Sequence, residues 1–191
     1  MIYSTFLALG DSMTYGARGG YDHGYPEWLS DFYDVEFGQR LLTVNAGING
    51  ETTSQCRRRA KQVIESSKCN EMLFFEGTND AKDTVQTPDY IYESNVRYII
   101  DCALINGVKL YLGLIPDLRG FGAPDYSIHS QELMNGYNKI IRKLSKEYEL
   151  PLVDFTGFHV RHYSDGVHFN TEGYRLMAAK VINAIKEYRK Y

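Results

Sequence analysis

Ile2-Tyr3-Ser4-Thr5-Phe6-Leu7-Ala8-Leu9 runs directly into Gly10-Asp11-Ser12-Met13-Thr14. A short apolar run, rich in strand-forming residues and stopped by glycine, reads as a buried β-strand. The same pattern recurs along the chain. Leu41–Val44 is followed by Asn45-Ala46-Gly47, Glu71–Glu76 by Gly77, Val108–Ile115 by Pro116, and Leu150–Val153 by Asp154. Helical stripes fill the intervals. Cys56, Ala60, Val63 and Ile64 share one face, with Thr52 and Gln55 spaced as a capping box. Val96, Ile99, Ile100, Ala103 and Leu104 form a second stripe, which Gly107 can stop. Leu133, Tyr137, Ile140, Ile141, Leu144 and Tyr148 form a third. Met177, Val181, Ala184, Ile185 and Tyr188 form the last, behind Asn170 as N-cap. Glu27–Phe37 is a less regular helix, with Gly38 as its stop. Fully apolar strands alternating with helices predict a parallel sheet covered on both faces. The expected architecture is therefore one α/β domain over residues 1–191, a three-layer α/β/α sandwich on a five-stranded parallel sheet.

Composition agrees with one globular unit. The chain has 191 residues, 43% of them hydrophobic and 24% charged. Its 21 Lys and Arg against 24 Asp and Glu give a net charge of −3, which argues against a nucleic-acid partner. The three cysteines cannot all pair and lack metal-ligand spacing, so a reducing compartment is expected. Met1–Gly10 has neither the basic start nor the cleavage site of a signal peptide. The apolar runs are too short for a membrane span. The expectation is a cytoplasmic protein whose mature chain starts at or near Met1; its oligomeric state is not encoded legibly. Sixteen tyrosines are the compositional oddity.

Ligands of such sheets bind beyond the carboxyl ends of the strands, so the residues that follow each strand carry the chemistry. These are Gly10-Asp11-Ser12, the stretch Asn45–Thr52, Gly77-Thr78-Asn79-Asp80 and, later, Asp165-Gly166-Val167-His168. They supply a hydroxyl, exposed glycine backbone, a carboxamide, and a carboxylate close to an imidazole. Acyl transfer needs that set. A serine hydroxyl is a weak nucleophile until a base takes its proton. A carboxylate fixes the imidazole tautomer. Preorganised N–H donors then stabilise the oxyanion. Ser12 alone also reads as a helix cap, Asn79 as a turn former, and Gly50 as a turn glycine with Gly47 as the rival donor.

Taken together, the four blocks resemble the SGNH hydrolases, the GDSL-like lipase/acylhydrolase family, from residue 10 to residue 168. The one departure is Met13, where that family usually has leucine after the serine. The resemblance implies a flavodoxin-like sheet and a carboxylic ester hydrolase. It makes Ser12 the nucleophile, His168 the base and Asp165 its orienting carboxylate. The oxyanion would be held by Ser12 N–H, Gly50 N–H and Asn79. It implies no metal and no cofactor. Relatives of this kind act as sugar acetylesterases, lysophospholipases, thioesterases and arylesterases. A small short-acyl ester, such as an acetylated carbohydrate, is the expected substrate and the only expected partner. A non-catalytic anion-binding module is the alternative from another class, and the Asp165/His168 pair argues against it.

Substrate contacts are sought among aromatic residues near the nucleophile: Tyr15, Tyr21, Tyr25, Trp28, Tyr126, and Phe121 on the Pro116–Tyr126 loop. Packing of the first helix is the competing role for Tyr25 and Trp28. Asp11 is expected to order its loop, and His23, His129, His159 and His162 to be structural or solvent-exposed. Arg57-Arg58-Arg59 is expected as a solvated helix face, and Cys56, Cys69 and Cys102 as small buried hydrophobes.

Overall fold

A computed structural model describes residues 4–20, 23–118 and 125–189. The first strand, β1, spans Ser4–Gly10 and leads into a one-turn helix α1, Ser12–Tyr15. Helix α2 (Tyr25–Phe37), strand β2 (Leu41–Gly47) and helix α3 (Thr53–Ser67) follow. After β3 (Glu71–Phe75) come α4 (Asp89–Ile105), β4 (Lys109–Leu114) and α5 (Ile128–Glu147). The chain closes with β5 (Leu152–Asp154) and α6 (Thr171–Tyr188).

The five strands are all parallel and lie in the order β2-β1-β3-β4-β5. Strand alternation divides the apolar side chains between two cores. Leu7 and Leu9 of β1, Met72 and Phe74 of β3, and Leu110, Leu112 and Leu114 of β4 face α3, α4 and α5. Phe6 and Ala8, Leu73 and Phe75, and Tyr111 face α2 and α6. This is the expected three-layer sandwich with the flavodoxin-like strand order. The chain runs outward from β1 to β2, then crosses to β3 on the other side of β1. That reversal leaves a crevice at the carboxyl ends of β1 and β3, where Ser12 and Asn79 lie.

Local sequence explains the element ends. Gln55 Oε1 accepts from Thr52 N–H at 2.9 Å, the expected capping contact at the start of α3. Asn170 caps α6 by accepting from Gly173 N–H at 3.0 Å. β2 extends to Gly47, three residues past the predicted Val44. It is an edge strand, so polar Asn45 can join the ladder with its side chain toward solvent.

Candidate active site

The first and fourth blocks are held by their own local bonds. At the end of β1, Asp11 caps α1, and its Oδ1 accepts from Met13 N–H at 2.9 Å. Asp11 therefore takes the capping position and leaves the Ser12 hydroxyl free of that task. The fourth block is a loop pinched at its base. Tyr163 bridges Phe169, and Ser164 N–H donates to His168 O at 2.8 Å. Within the loop, Asp165 Oδ1 accepts from Val167 N–H at 3.1 Å and from His168 N–H at 2.8 Å.

These constraints aim the His168 ring between the other two groups. His168 Nδ1 lies 2.8 Å from Asp165 Oδ2, and Nε2 lies 2.9 Å from Ser12 Oγ. A neutral imidazole protonated on Nδ1 donates to Asp165 and keeps its Nε2 lone pair for the serine O–H. Burial pushes the Asp165 carboxyl up, but the His168 backbone and ring bonds outweigh it and hold the group below the ordinary carboxylate range. Asp165 is thus ionised at neutral pH, the state in which it favours a neighbouring imidazolium.

Three N–H donors converge on the same crevice. Among the described residues, nothing accepts from the backbone N–H of Ser12 or of Gly50. Gly50 sits at φ +77°, a left-handed conformation that glycine adopts without strain. Gly47, the rival, is engaged elsewhere in two ways. Its N–H already donates to Asn45 Oδ1 at 3.0 Å. A Cβ there would also stand 2.6 Å from Tyr15 Cα, so Gly47 serves the close packing of β2 against α1. Asn79 Nδ2 donates one hydrogen to Glu51 O at 2.9 Å and lies 3.5 Å from Asp11 Oδ2, leaving the second hydrogen weakly held.

Beneath these donors lies a group of buried carboxyls. Burial, with nearby Asp80 and Glu51, pushes Asp11 up to about 7 against an opposing bond from Met13 N–H. Glu76 is fully buried beside the Cys56 thiol, and burial drives it well above the usual range although that thiol bonds it. Asp80 is raised by burial although Thr53 N–H and Oγ1 bond it at 2.9 and 2.6 Å. Glu51, Cys56 and Glu76 place potential ligand atoms within 4.8 Å of one another. They do not suit a resident metal. Burial keeps protons on Cys56 and Glu76, and Arg59 already occupies Glu51.

A cleft of about 600 Å³ opens above Ser12, Gly50, Asn79, Asp165 and His168. Its walls add Tyr15, Ala17, Arg18, Asn49, Lys82, Asp125, Tyr126 and Val167. Of the expected substrate contacts, Tyr15 and Tyr126 reach this cleft. Tyr25 does not: it is fully buried in the core against α6, with its hydroxyl 3.4 Å from Thr14 Oγ1. Trp28 does not either; it packs on the same core under Arg175, whose guanidinium lies 5.1 Å from the ring. Their helical spacing turns both inward, so their role is packing. Phe121 and Tyr21 lie outside the described residues. Lys82 and Arg18 were not singled out by sequence, because only the meeting of separate loops makes them neighbours of the serine. Arg59 corrects the solvated-face expectation: it points inward and is half-buried on Glu51. Its spacing from Cys56 already placed it beside the apolar stripe.

Together the fold and site define a serine-centred α/β protein. Residues 8–176 match the model of the GDSL-like Lipase/Acylhydrolase family, and the chain belongs to that family. It is 29% identical over 173 residues to the uncharacterized lipoprotein YqeF of Bacillus subtilis (strain 168), covering 80% of this chain and 70% of that one. It is 25% identical over 183 residues to the thioesterase 1/protease 1/lysophospholipase L1 of Escherichia coli (strain K12), covering 91% and 79%. Among solved structures, a catalytic mutant of Axe2, an acetylxylan esterase from Geobacillus stearothermophilus, matches with TM-score 0.80 and 17% identity, covering 95% and 94%. At that identity the likeness is one of fold. Among the described residues, no helix is long and apolar enough to cross a membrane.

Proposed function

We propose that this protein is a serine-dependent carboxylic ester hydrolase acting on small esters with short acyl groups, with acetylated carbohydrates as the substrate class. The observation that carries the reading is the hydrogen-bonded chain from Ser12 through His168 to Asp165, on the floor of an open cleft. In this reading Ser12 Oγ attacks the acyl carbonyl while His168 Nε2 takes its proton. The oxyanion forms against Ser12 N–H, Gly50 N–H and Asn79 Nδ2. The imidazolium, stabilised by ionised Asp165, protonates the departing alcohol oxygen. Water then enters, gives a proton to His168 and releases the acid from Ser12. No step needs a metal or an organic cofactor.

Support for the substrate class comes from the cleft walls. Arg18, Asn49, Lys82 and Asp125 supply donors and acceptors, and Tyr15 and Tyr126 supply aromatic surface. Such a lining suits a hydroxyl-rich alcohol better than a long alkyl chain. The acetylxylan esterase that shares the fold points the same way. The Escherichia coli relative supports a second reading, a thioesterase or lysophospholipase. Initial rates on p-nitrophenyl esters from acetate to palmitate, on acetylated xylo-oligosaccharides and on acyl thioesters separate the two. The proposal expects rates that fall with acyl length and vanish in Ser12→Ala. Rates that rise toward palmitate would reject the substrate class. Full activity in Ser12→Ala would reject the mechanism. Nucleotide-induced stabilisation without hydrolysis of any ester would favour a binding module instead.

A further inference from the structure

The three oxyanion donors come from three different strand ends, and one side chain beneath them reaches two of those ends and Glu51, whose backbone carbonyl bonds the third donor. Arg59, on α3, donates through Nε to Glu51 Oε1 at 2.8 Å and to Oε2 at 3.1 Å. Its Nη2 also bonds Glu51 Oε2, reaches Ala46 O at 2.8 Å and approaches Gly10 O at 3.5 Å. Gly10 precedes the Asp11-Ser12 turn. Ala46 is the penultimate residue of β2, just before the loop that carries Gly50. Glu51 follows Gly50 directly, and its carbonyl accepts from Asn79 Nδ2 at 2.9 Å. A single planar guanidinium with a fixed fork of donors thus joins the ends of β1 and β2 directly, and through Glu51 it holds the residue whose carbonyl bonds Asn79.

The charges around it make this link specific. Glu51 is buried, and Asp11, Glu76 and Asp80 are the buried carboxyls nearby. Burial drives Glu76 well above the usual carboxyl range, and it is Glu51 whose two carboxyl oxygens Arg59 bonds. Burial alone would favour loss of the Arg59 proton, but its bonds to Glu51 outweigh that effect and hold the guanidinium charged. A lysine at this place has no planar fork. It cannot bond the carboxylate and the Ala46 carbonyl together in the same geometry.

We propose that Arg59 and Glu51 are positioning residues for the oxyanion hole, acting as a clamp that sets Ser12 N–H, Gly50 N–H and Asn79 Nδ2 at their working separations. The proposal rests on the esterase reading for its kinetic consequence. Neither residue lines the cleft, so neither contacts substrate. Removing the clamp loosens donors that must be in place before charge develops on the substrate, and loss of one such donor typically costs about 10²–10³ in rate.

The test compares Arg59→Met, Arg59→Lys and Glu51→Gln, each assayed well below its own melting temperature. The clamp predicts a kcat lower by about 100-fold in Arg59→Met, with KM within about twofold of the parent. It predicts partial rescue of kcat in Arg59→Lys and an intermediate loss in Glu51→Gln. Unchanged kcat in folded Arg59→Met would overturn it, as would a loss confined to KM. Should Arg59→Met fail to fold, the two milder variants decide by the same criterion. Amide hydrogen exchange gives a reading independent of activity. Ile48 N–H donates to Gly10 O at 3.0 Å and Glu51 N–H to Ile48 O at 3.2 Å. Both amides should exchange at least about tenfold faster in the variants, with amides in the middle of α5 unchanged. Equal exchange at Ile48 and Glu51 would overturn the clamp even if the parent protein hydrolysed no ester, a result that would separately reject the esterase reading.

Discussion

Asp11 gives the sharpest thermodynamic prediction. Its carboxyl is fully buried and is pushed from an ordinary 3.8 up to about 7, chiefly by burial. A group whose folded value is raised binds its proton more tightly in the folded state. Its contribution to stability is complete below the unfolded value and is lost as pH rises through the folded one. The window for Asp11 therefore runs from about pH 4 to about pH 7. At about 1.4 kcal/mol per pH unit, the interval from 3.8 to about 7 corresponds to about 4 kcal/mol. Asp11→Asn removes the ionisation while keeping an oxygen to accept from Met13 N–H. The assay is urea unfolding of parent and variant at half-unit steps from pH 4 to pH 8. The parent should lose about 4 kcal/mol relative to the variant across that window. Asp80 and Glu76 are also raised and titrate in both proteins, so their effect largely cancels in the difference. Parallel curves would refute the reasoning, because they would mean that Asp11 ionises as easily in the folded chain as in the unfolded one.

Two further outcomes follow from the site. Gly47→Ala should cost about 1–3 kcal/mol and lower kcat, because its Cβ would stand 2.7 Å from Thr14 C and displace α1. Gly50→Ala meets no atom within 4 Å and should cost only about 1 kcal/mol of left-handed strain, so thermal melts showing the reverse order would contradict these assignments. Asp165→Asn should lower kcat by about 10³–10⁴-fold with little change in KM, since an amide cannot stabilise the imidazolium or enforce the Nδ1–H tautomer; steady-state kinetics at pH 8 check this.

Strand order and site were legible to different degrees for physical reasons. Parallel strands buried on both faces leave near-continuous apolar runs, so all five could be read, and the glycine, proline or polar residue closing each run marked the edge where chemistry gathers. Edge strand β2 was read short because Asn45 interrupts its apolar pattern while its backbone still pairs with β1. The four blocks singled out Ser12, Gly50, Asn79, Asp165 and His168 because each pattern is local to its loop, and the fold brings all five to one cleft. Choosing between Gly47 and Gly50 required knowing what stands beside each, a long-range fact. Tyr25 and Trp28 show the same limit: both follow the nucleophile in sequence, yet the helix they share turns them into the core between α2 and α6. Arg59 was misread because three adjacent arginines suggest solvent. Only the fold places Glu51 under the third of them. Arg18 and Lys82 became neighbours of the serine through loops distant in sequence.

The most direct test of the central claim is covalent labelling of Ser12. A serine is trapped by a fluorophosphonate only when an adjacent base activates it. The protein should take up one equivalent of an alkyl fluorophosphonate, with peptide mass spectrometry placing the adduct on Ser12. Labelling should disappear in His168→Ala. An adduct on another residue, or undiminished labelling of Ser12 in His168→Ala, would contradict the account.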